Sequence, residues 1–233
     1  MNFKFISAAC GVLLGLAGLA EAQSQPVVVV ELFTSQGCSS CPPADEFASM
    51  LAMDPAIMPL SLHVDYWDYI GWADKFASPK FTERQKAYAR ADGSRSVYTP
   101  QFIIGGRDRI EGFQPDQAKA AIRAHLAQGA SVGLTVHRKG DQLSISANAE
   151  PSLGTIMVQL VRYKPEETVA IERGENAGRS ISYTNIVTSW RALGKWSGDQ
   201  PLAMQAQVSG TDPVVVILQQ EGPAEIIAAV QLD

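Results

Sequence analysis

Two cysteines two residues apart are the side chains in this sequence best suited to chemistry. Cys38 and Cys41 lie in TSQGCSSCPPADEF, between the β-branched run VVVVELFT and a helix-forming segment. A helix N-terminus carries unpaired N–H groups and partial positive charge, which stabilise a thiolate. Two sulfurs at this spacing can close a disulfide and reopen it by exchange. The pattern indicates a redox pair, although half of a metal site or a structural disulfide would use the same residue types.

The first 22 residues have the pattern of a secretory signal peptide. A basic start, MNFK, precedes an apolar stretch that contains Cys10 and ends in small residues suited to cleavage. We expect this segment to be removed and the rest of the chain to be periplasmic or secreted. Disulfides persist in such compartments.

Composition narrows the possible partners. The chain has 233 residues and a formal net charge of −5, which gives no indication of a nucleic-acid or anionic-membrane partner. No long apolar stretch follows the signal, so we expect no membrane span in the mature chain. The oligomeric state cannot be predicted from the sequence.

Strand and helix patterns alternate from residue 27 to 129. A buried-type strand is followed by the cysteine segment, a helix over 44–53, a second strand over 57–64 and an aromatic stretch. A second helix, a strand entered through Thr99-Pro100, a returning strand and a last helix complete this part. The order predicts an α/β domain over residues 23–130.

After Gly129 the pattern changes to short strands at regular spacing. These include TIMVQLVRY and ETVAI as separate strands, followed by SISYTNIVTSW, MQAQV, PVVVILQQ and AEIIAAVQL. Short strands at this regular spacing predict an all-β, sandwich-like domain over residues 131–233.

The first part resembles thioredoxin-like proteins, which place a cis-proline loop beside a Cys-x-x-Cys helix. The resemblance covers residues 27–129 and implies a cis peptide bond at Pro100, with Thr99 presenting backbone groups to a partner protein. It implies that Cys38 is the attacking, more exposed thiol and Cys41 the resolving one. Glu31, on the first strand, would be a buried acid that relays a proton to Cys41.

Five longer sequence segments show a second, more specific resemblance to a protein family, and it extends over nearly all of the mature chain. They are ELFTSQGCSSCPPAD, HVDYWDYIGWADKF, FTERQKAYA, VYTPQ and RGENAGRSISYTNIV. Together they resemble the secreted, thioredoxin-like family catalogued as domain of unknown function 1223. This implies an N-terminal thioredoxin-like domain and a β-rich C-terminal part, without a settled substrate.

His63 ends the second predicted strand, and it could join Cys38 and Cys41 in a Cu(I) site because thiolates and imidazole suit that ion. A packed core histidine is the simpler interpretation. The aromatic stretch offers a substrate groove beside the cysteines, formed with His63 by the side chains of Asp65, Tyr66, Trp67 and Trp72. The simpler interpretation of the stretch is a cap on the core.

The charged loop IERGENAGRSISY supports one further hypothesis, in which Arg173 or Arg179 docks on the first domain and covers the cysteines. A solvated turn is the default for such a loop.

Three functions fit these patterns. The first is an exported thiol–disulfide oxidoreductase that needs no bound cofactor and acts on a protein thiol or disulfide. The second is a metal-binding or chaperone-like module that uses the same cysteines with His63. The third is a non-catalytic interaction protein with a structural disulfide.

Overall fold

The computed structural model describes residues 27–232, which lie outside the predicted signal peptide at residues 1–22. The described chain is α/β, with one eight-stranded mixed sheet and one three-stranded antiparallel sheet. This confirms the predicted α/β class. The helices are α1 Pro42–Leu51, α2 Pro79–Ala91 and α3 Pro115–Gln128. The strands are β1 Val28–Thr34, β2 Ile57–His63, β3 Gln101–Ile104, β4 Asp108–Glu111, β5 Leu134–Lys139, β6 Gln142–Ala147, β7 Ile156–Ala170, β8 Ser180–Trp196, β9 Leu202–Gln207, β10 Val214–Gln220 and β11 Ile226–Leu232.

The large sheet has the strand order β11-β10-β7-β8-β2-β1-β3-β4. Strand β1 runs parallel to β2 and antiparallel to β3, and β2 meets β8 in parallel where Ser61 faces Ile186. Strands from both sides of the predicted boundary at residue 130 therefore share one sheet. The division into two domains stays a prediction.

The two faces of β1 contact different helices, because successive side chains of a strand point to opposite sides. Val30 and Leu32 pack with α1 and α3, whereas Val29 and Phe33 pack with α2. Each fully buried side chain of this size contributes about 1.5–3 kcal/mol. Glu31 lies on the α2 face, because it shares the register of Val29 and Phe33.

The three-stranded sheet, β5-β6-β9, covers one face of β7, β8, β10 and β11. The apolar side chains between these two layers form one buried cluster, to which both sheets contribute. Within residues 27–232, no helix is both long and apolar enough to cross a membrane.

Strand β7 is continuous, so the prediction of two separate strands on either side of Pro165 is wrong. Lys164 pairs with Ile186 and Glu166 pairs with Thr184, and Pro165 lies between these pairs. The pairing shifts just before this point, and Asn185 on β8 adopts a left-handed φ of 49°. A proline without an N–H is tolerated at such an irregularity. The β7–β8 hairpin therefore continues past the sheet as a long arm.

Candidate functional site

Cys38 and Cys41 form a disulfide at the N-terminus of α1. Cys41 is the N-cap residue, and its carbonyl oxygen accepts a hydrogen bond from the Asp45 backbone N–H at 3.1 Å. Both cysteines are fully buried, while Ser39 and Ser40 between them are exposed. The greater exposure expected for Cys38 is not seen, because neighbouring segments cover both sulfurs equally.

The Thr99–Pro100 peptide bond is cis, as expected, and it lies beside residues 35–41, which we call the cysteine loop. Ser40 Oγ donates a hydrogen bond to the Thr99 carbonyl oxygen at 3.4 Å and lies 3.4 Å from Cys38 Sγ. Trp67 Nε1 donates to Thr99 Oγ1 at 2.7 Å. The structure therefore brings the cysteine loop, Thr99 and Trp67 together.

The aromatic segment, residues 65–76, packs closely against the residues before Cys38. A Cβ atom at Gly37 would lie 3.2 Å from both Trp67 Cβ and Ile70 Cδ1, which is tight for any side chain. Trp72 Nε1 donates to Gln36 Oε1 at 2.8 Å. Glycine at position 37 therefore permits the close packing of the cysteine loop against this segment.

The other two predicted groove residues on this segment face α2. Asp65 Oδ1 accepts a hydrogen bond from Thr82 Oγ1 at 2.6 Å, and Tyr66 OH donates to Gln85 Oε1 at 3.1 Å. Burial raises the pKa of the Tyr66 hydroxyl to about 12, so this group stays protonated. Asp65 and Tyr66 hold the segment against α2, and the Tyr66 hydroxyl also interacts with Thr99. Trp67 contacts Thr99, and Trp72 contacts Gln36 just before the cysteines.

His63 is fully buried. Its Nδ1 lies 2.7 Å from Asp74 Oδ2, and its ring packs edge-on against Phe76 and Tyr183. Among residues 27–232, no group of three His, Cys, Asp or Glu side chains could hold a metal ion. The geometry therefore gives the proposed site of Cys38, Cys41 and His63 no support in the disulfide form.

Glu31 lies away from the cysteine helix. On the α2 face it forms a two-pronged ion pair with Arg84, at 2.5 and 2.8 Å, and accepts a hydrogen bond from Tyr88 OH at 2.6 Å. Burial has the largest single effect on the pKa of Arg84 and lowers it, but the combined effects of Glu31 and Tyr88 outweigh burial, and the net shift is upward. Because α1 packs on the opposite face of β1, the structure does not bring Glu31 to Cys41.

Asp45 is the buried acid on the cysteine side, and the sequence reasoning missed it. It lies in the first turn of α1, four residues after Cys41, and is 2% exposed. Residues four apart on a helix are neighbours, so the spacing itself was a usable signal. Thr34 Oγ1 donates to Asp45 Oδ1 at 2.7 Å. Burial raises the pKa of Asp45 from 3.8 to about 7, against the opposing effects of His63 and Thr34.

Several polar atoms around Asp45 have no hydrogen-bond partner within the described chain. They are Asp45 Oδ2, His63 Nε2, Gln36 Nε2 and Tyr183 OH, and all four are buried. Asp74 connects two of these residues, because it lies 2.7 Å from His63 Nδ1 and accepts a hydrogen bond from the Gln36 backbone N–H at 2.8 Å. An unpaired buried polar group is costly, typically by about 1–3 kcal/mol. The cluster therefore has unused hydrogen-bonding capacity.

The charged loop does reach the cysteines, but through Asn176 rather than an arginine. Asn176 Nδ2 donates hydrogen bonds to the carbonyl oxygens of Gln36 and Cys38, at 3.0 and 2.9 Å. Arg179 instead donates to Asn176 Oδ1 at 3.0 Å, and Arg173 is exposed. The contact expected from Arg173 or Arg179 is therefore made by the amide side chain of Asn176.

Two solved structures resemble this chain. A crystal structure of a protein from Agrobacterium tumefaciens has 36% sequence identity and a TM-score of 0.74, and the match covers 89% of this chain and 95% of that one. HBP35 of Porphyromonas gingivalis has a TM-score of 0.61 at 16% identity, with 89% of this chain and 74% of that chain covered. The second likeness concerns the fold alone. No curated protein matches the chain.

The family model described as protein of unknown function (DUF1223) matches residues 29–219. This match includes the cysteine loop, the Thr99–Pro100 bond, Asp45 and Asn176. The chain belongs to the DUF1223 family.

Proposed function

We propose that the protein is an exported thiol–disulfide oxidoreductase whose residues 27–129 act as a thioredoxin-like exchange domain. One observation carries the proposal: the Cys38–Cys41 disulfide lies at the N-terminus of α1, next to the backbone of Thr99. The helix N-terminus stabilises a thiolate leaving group. The backbone of Thr99 is close enough to align a partner segment beside the sulfurs.

The exchange moves two electrons from a partner dithiol to the disulfide. A partner thiolate attacks Cys38 Sγ, the Cys38–Cys41 bond breaks, and its electron pair stays on Cys41 Sγ, which takes up a proton. The second partner thiol gives up its proton and attacks the partner sulfur of this mixed disulfide. Cys38 leaves as a thiolate, and the partner is left as a disulfide. In the reverse direction, the Cys38 thiolate attacks a partner disulfide and Cys41 resolves the mixed species.

Asp45 is the group we propose for the proton that Cys41 gains or loses. Its side chain tilts back towards the helix N-terminus, one turn from Cys41. A pKa near 7 lets it exchange a proton around neutral pH. Glu31, expected from the sequence to have this role, is engaged with Arg84 on the other face.

Insulin reduction in the presence of dithiothreitol tests the function. We expect the mature chain to accelerate precipitation of the insulin B chain, and Cys38→Ser to abolish the acceleration. Cys41→Ala should accumulate mixed disulfides through Cys38, and the double variant Cys38→Ser/Cys41→Ala is the matched control. Equal rates for wild type and Cys38→Ser would show that the disulfide is structural.

A further inference from the structure

The segment over residues 171–179, which joins β7 to β8, lies directly on the cysteine loop. We call it the strap. Its only buried polar side chain is Asn176, 1% exposed, while residues 172–175 and 177–179 are exposed. The Asn176 amide group donates to the carbonyl oxygens of Gln36 and Cys38. Residues 172–179 are otherwise exposed, so a single side chain, Asn176, fastens this part of the strap to the backbone around Cys38.

The strap is shaped so that Asn176 points at the cysteine loop. Ile171 N donates to Arg179 O at 2.9 Å, and Gly178 N donates to Ile171 O at 2.8 Å, which closes the turn at its base. Arg179 Nη1 holds Asn176 Oδ1 at 3.0 Å, leaving Nδ2 free for the two loop carbonyls. Asn176 is thus oriented before it meets the loop.

The arm that carries the strap is anchored on the aromatic segment. Val169, Ile181 and Tyr183 belong to an apolar cluster against which Trp72 and Phe76 pack. The strap backbone also approaches this segment, since a Cβ at position 174 would lie 3.3 Å from Trp72 Cβ. These contacts bring the strap and the aromatic segment together around the cysteine loop.

Burial of both sulfurs should slow thiol–disulfide exchange with a partner protein. A thiolate must reach a disulfide sulfur to attack it, and both cysteines are 0% exposed. Resting on the exchange function proposed above, we infer that the strap excludes the exchange partner from Cys38, and that Asn176 is the anchor a partner must displace. The partner is an extended peptide segment that carries a cysteine. Its backbone N–H groups can take over the two carbonyl oxygens that Asn176 leaves.

Reduction of the disulfide in stoichiometric amounts tests this inference. The wild type, Asn176→Ala and the control Asn148→Ala are reduced with dithiothreitol or with a synthetic cysteine peptide. The control changes an exposed asparagine that directly follows β6. Thiol appearance at Cys38 is followed by mass spectrometry. Loss of two hydrogen bonds to the loop should speed reduction about 10- to 30-fold in Asn176→Ala, and Asn148→Ala should match the wild type.

Arg179→Ala provides a second variant in case Asn176→Ala does not fold. It removes only the bond that orients Asn176, so we expect an acceleration of about threefold. Equal reduction rates for wild type and both strap variants, each shown to be folded by circular dichroism, overturn the inference. Stoichiometric reduction does not require catalysis, so the two proposals can fail separately. If the wild type does not reduce insulin but Asn176→Ala is reduced faster than the wild type, the proposed function is wrong and the role of the strap is supported.

Discussion

Two buried carboxylates lie on opposite faces of the large sheet, and their surroundings differ in kind. Glu31 has Arg84 in a two-pronged ion pair and a hydrogen bond from Tyr88. Asp45 has one hydrogen bond, from Thr34 to Oδ1, and its Oδ2 has no partner in the described chain. Both groups are out of water, so the number and charge of their partners decide what each can do.

The Glu31 environment is a closed polar network. Arg84 also bonds Tyr88 OH and Gln219 Oε1, and its guanidinium lies 3.7 Å from the centre of the Trp190 ring. This network links β1 and α2, from the first half of the chain, to β8 and β10, from the second half. The Asp45 environment keeps unpaired donors and acceptors on the face of the sheet where the cysteine helix packs. A satisfied carboxylate stabilises the fold, whereas an unsatisfied one is available for proton transfer.

Breaking the Glu31 network should give the largest effect. Arg84→Ala leaves the Glu31 charge buried without its cation, which typically costs about 3–5 kcal/mol of unfolding free energy. Urea denaturation measures the loss. The double variant Glu31→Gln/Arg84→Met removes both charges and should recover part of the stability. A loss below about 1 kcal/mol in Arg84→Ala would mean that the pair contributes little.

The Asp45 side of the comparison predicts a pH dependence of stability. The folded pKa is about 7, above the ordinary value of 3.8 for this side chain, so the folded state retains a proton that the unfolded state releases. Its stabilising contribution is present at pH 4 and is lost as the pH rises through 7, by at most about 4 kcal/mol. Asp45→Asn should remove this slope in urea melts from pH 4 to 8. The exposed neighbour variant Glu46→Gln should keep it, and a slope unchanged in Asp45→Asn would contradict the raised pKa.

A proton-transfer role for Asp45 should also appear in the kinetics. We expect Asp45→Asn to slow release from the mixed disulfide about 100-fold near pH 7, because general acid–base catalysis is lost. Stopped-flow measurement of that step over pH 5–9 should show the wild-type inflection near pH 7 disappear. Glu31→Gln serves as the control, and an identical profile in Asp45→Asn would assign the proton to solvent.

We expect the smallest changes in stability from two buried tyrosines, one near Glu31 and one near Asp45. Tyr88→Phe removes the hydroxyl that donates to Glu31 and should cost about 1–2 kcal/mol. Tyr183 OH has no partner within residues 27–232, so Tyr183→Phe should be neutral or slightly stabilising. Paired thermal melts at one pH measure the difference. A larger cost at Tyr183 would show that its hydroxyl is hydrogen-bonded after all.

Much of the local architecture could be predicted from the sequence. The strand before the cysteines, the helix after them, the strand entered through Thr99-Pro100 and the closing helix follow from periodicity and from proline and glycine positions. The sequence pattern also predicted strands after residue 130, apart from the false break at Pro165. A proline suggests an interruption, and only the pairing with β8 shows that an irregular register accommodates it.

The amino-acid sequence alone determined that a Cys-x-x-Cys pair sits between a buried strand and a helix, because hydrophobic periodicity and turn residues act over a few positions. Tertiary structure decided which acid lies near the pair, since the face that Glu31 occupies depends on which helix packs there. It also decided that Asn176 bonds the Cys38 carbonyl oxygen, a contact across 138 positions of sequence. Contacts at that separation depend on the order of strands in the sheet, which local patterns do not specify.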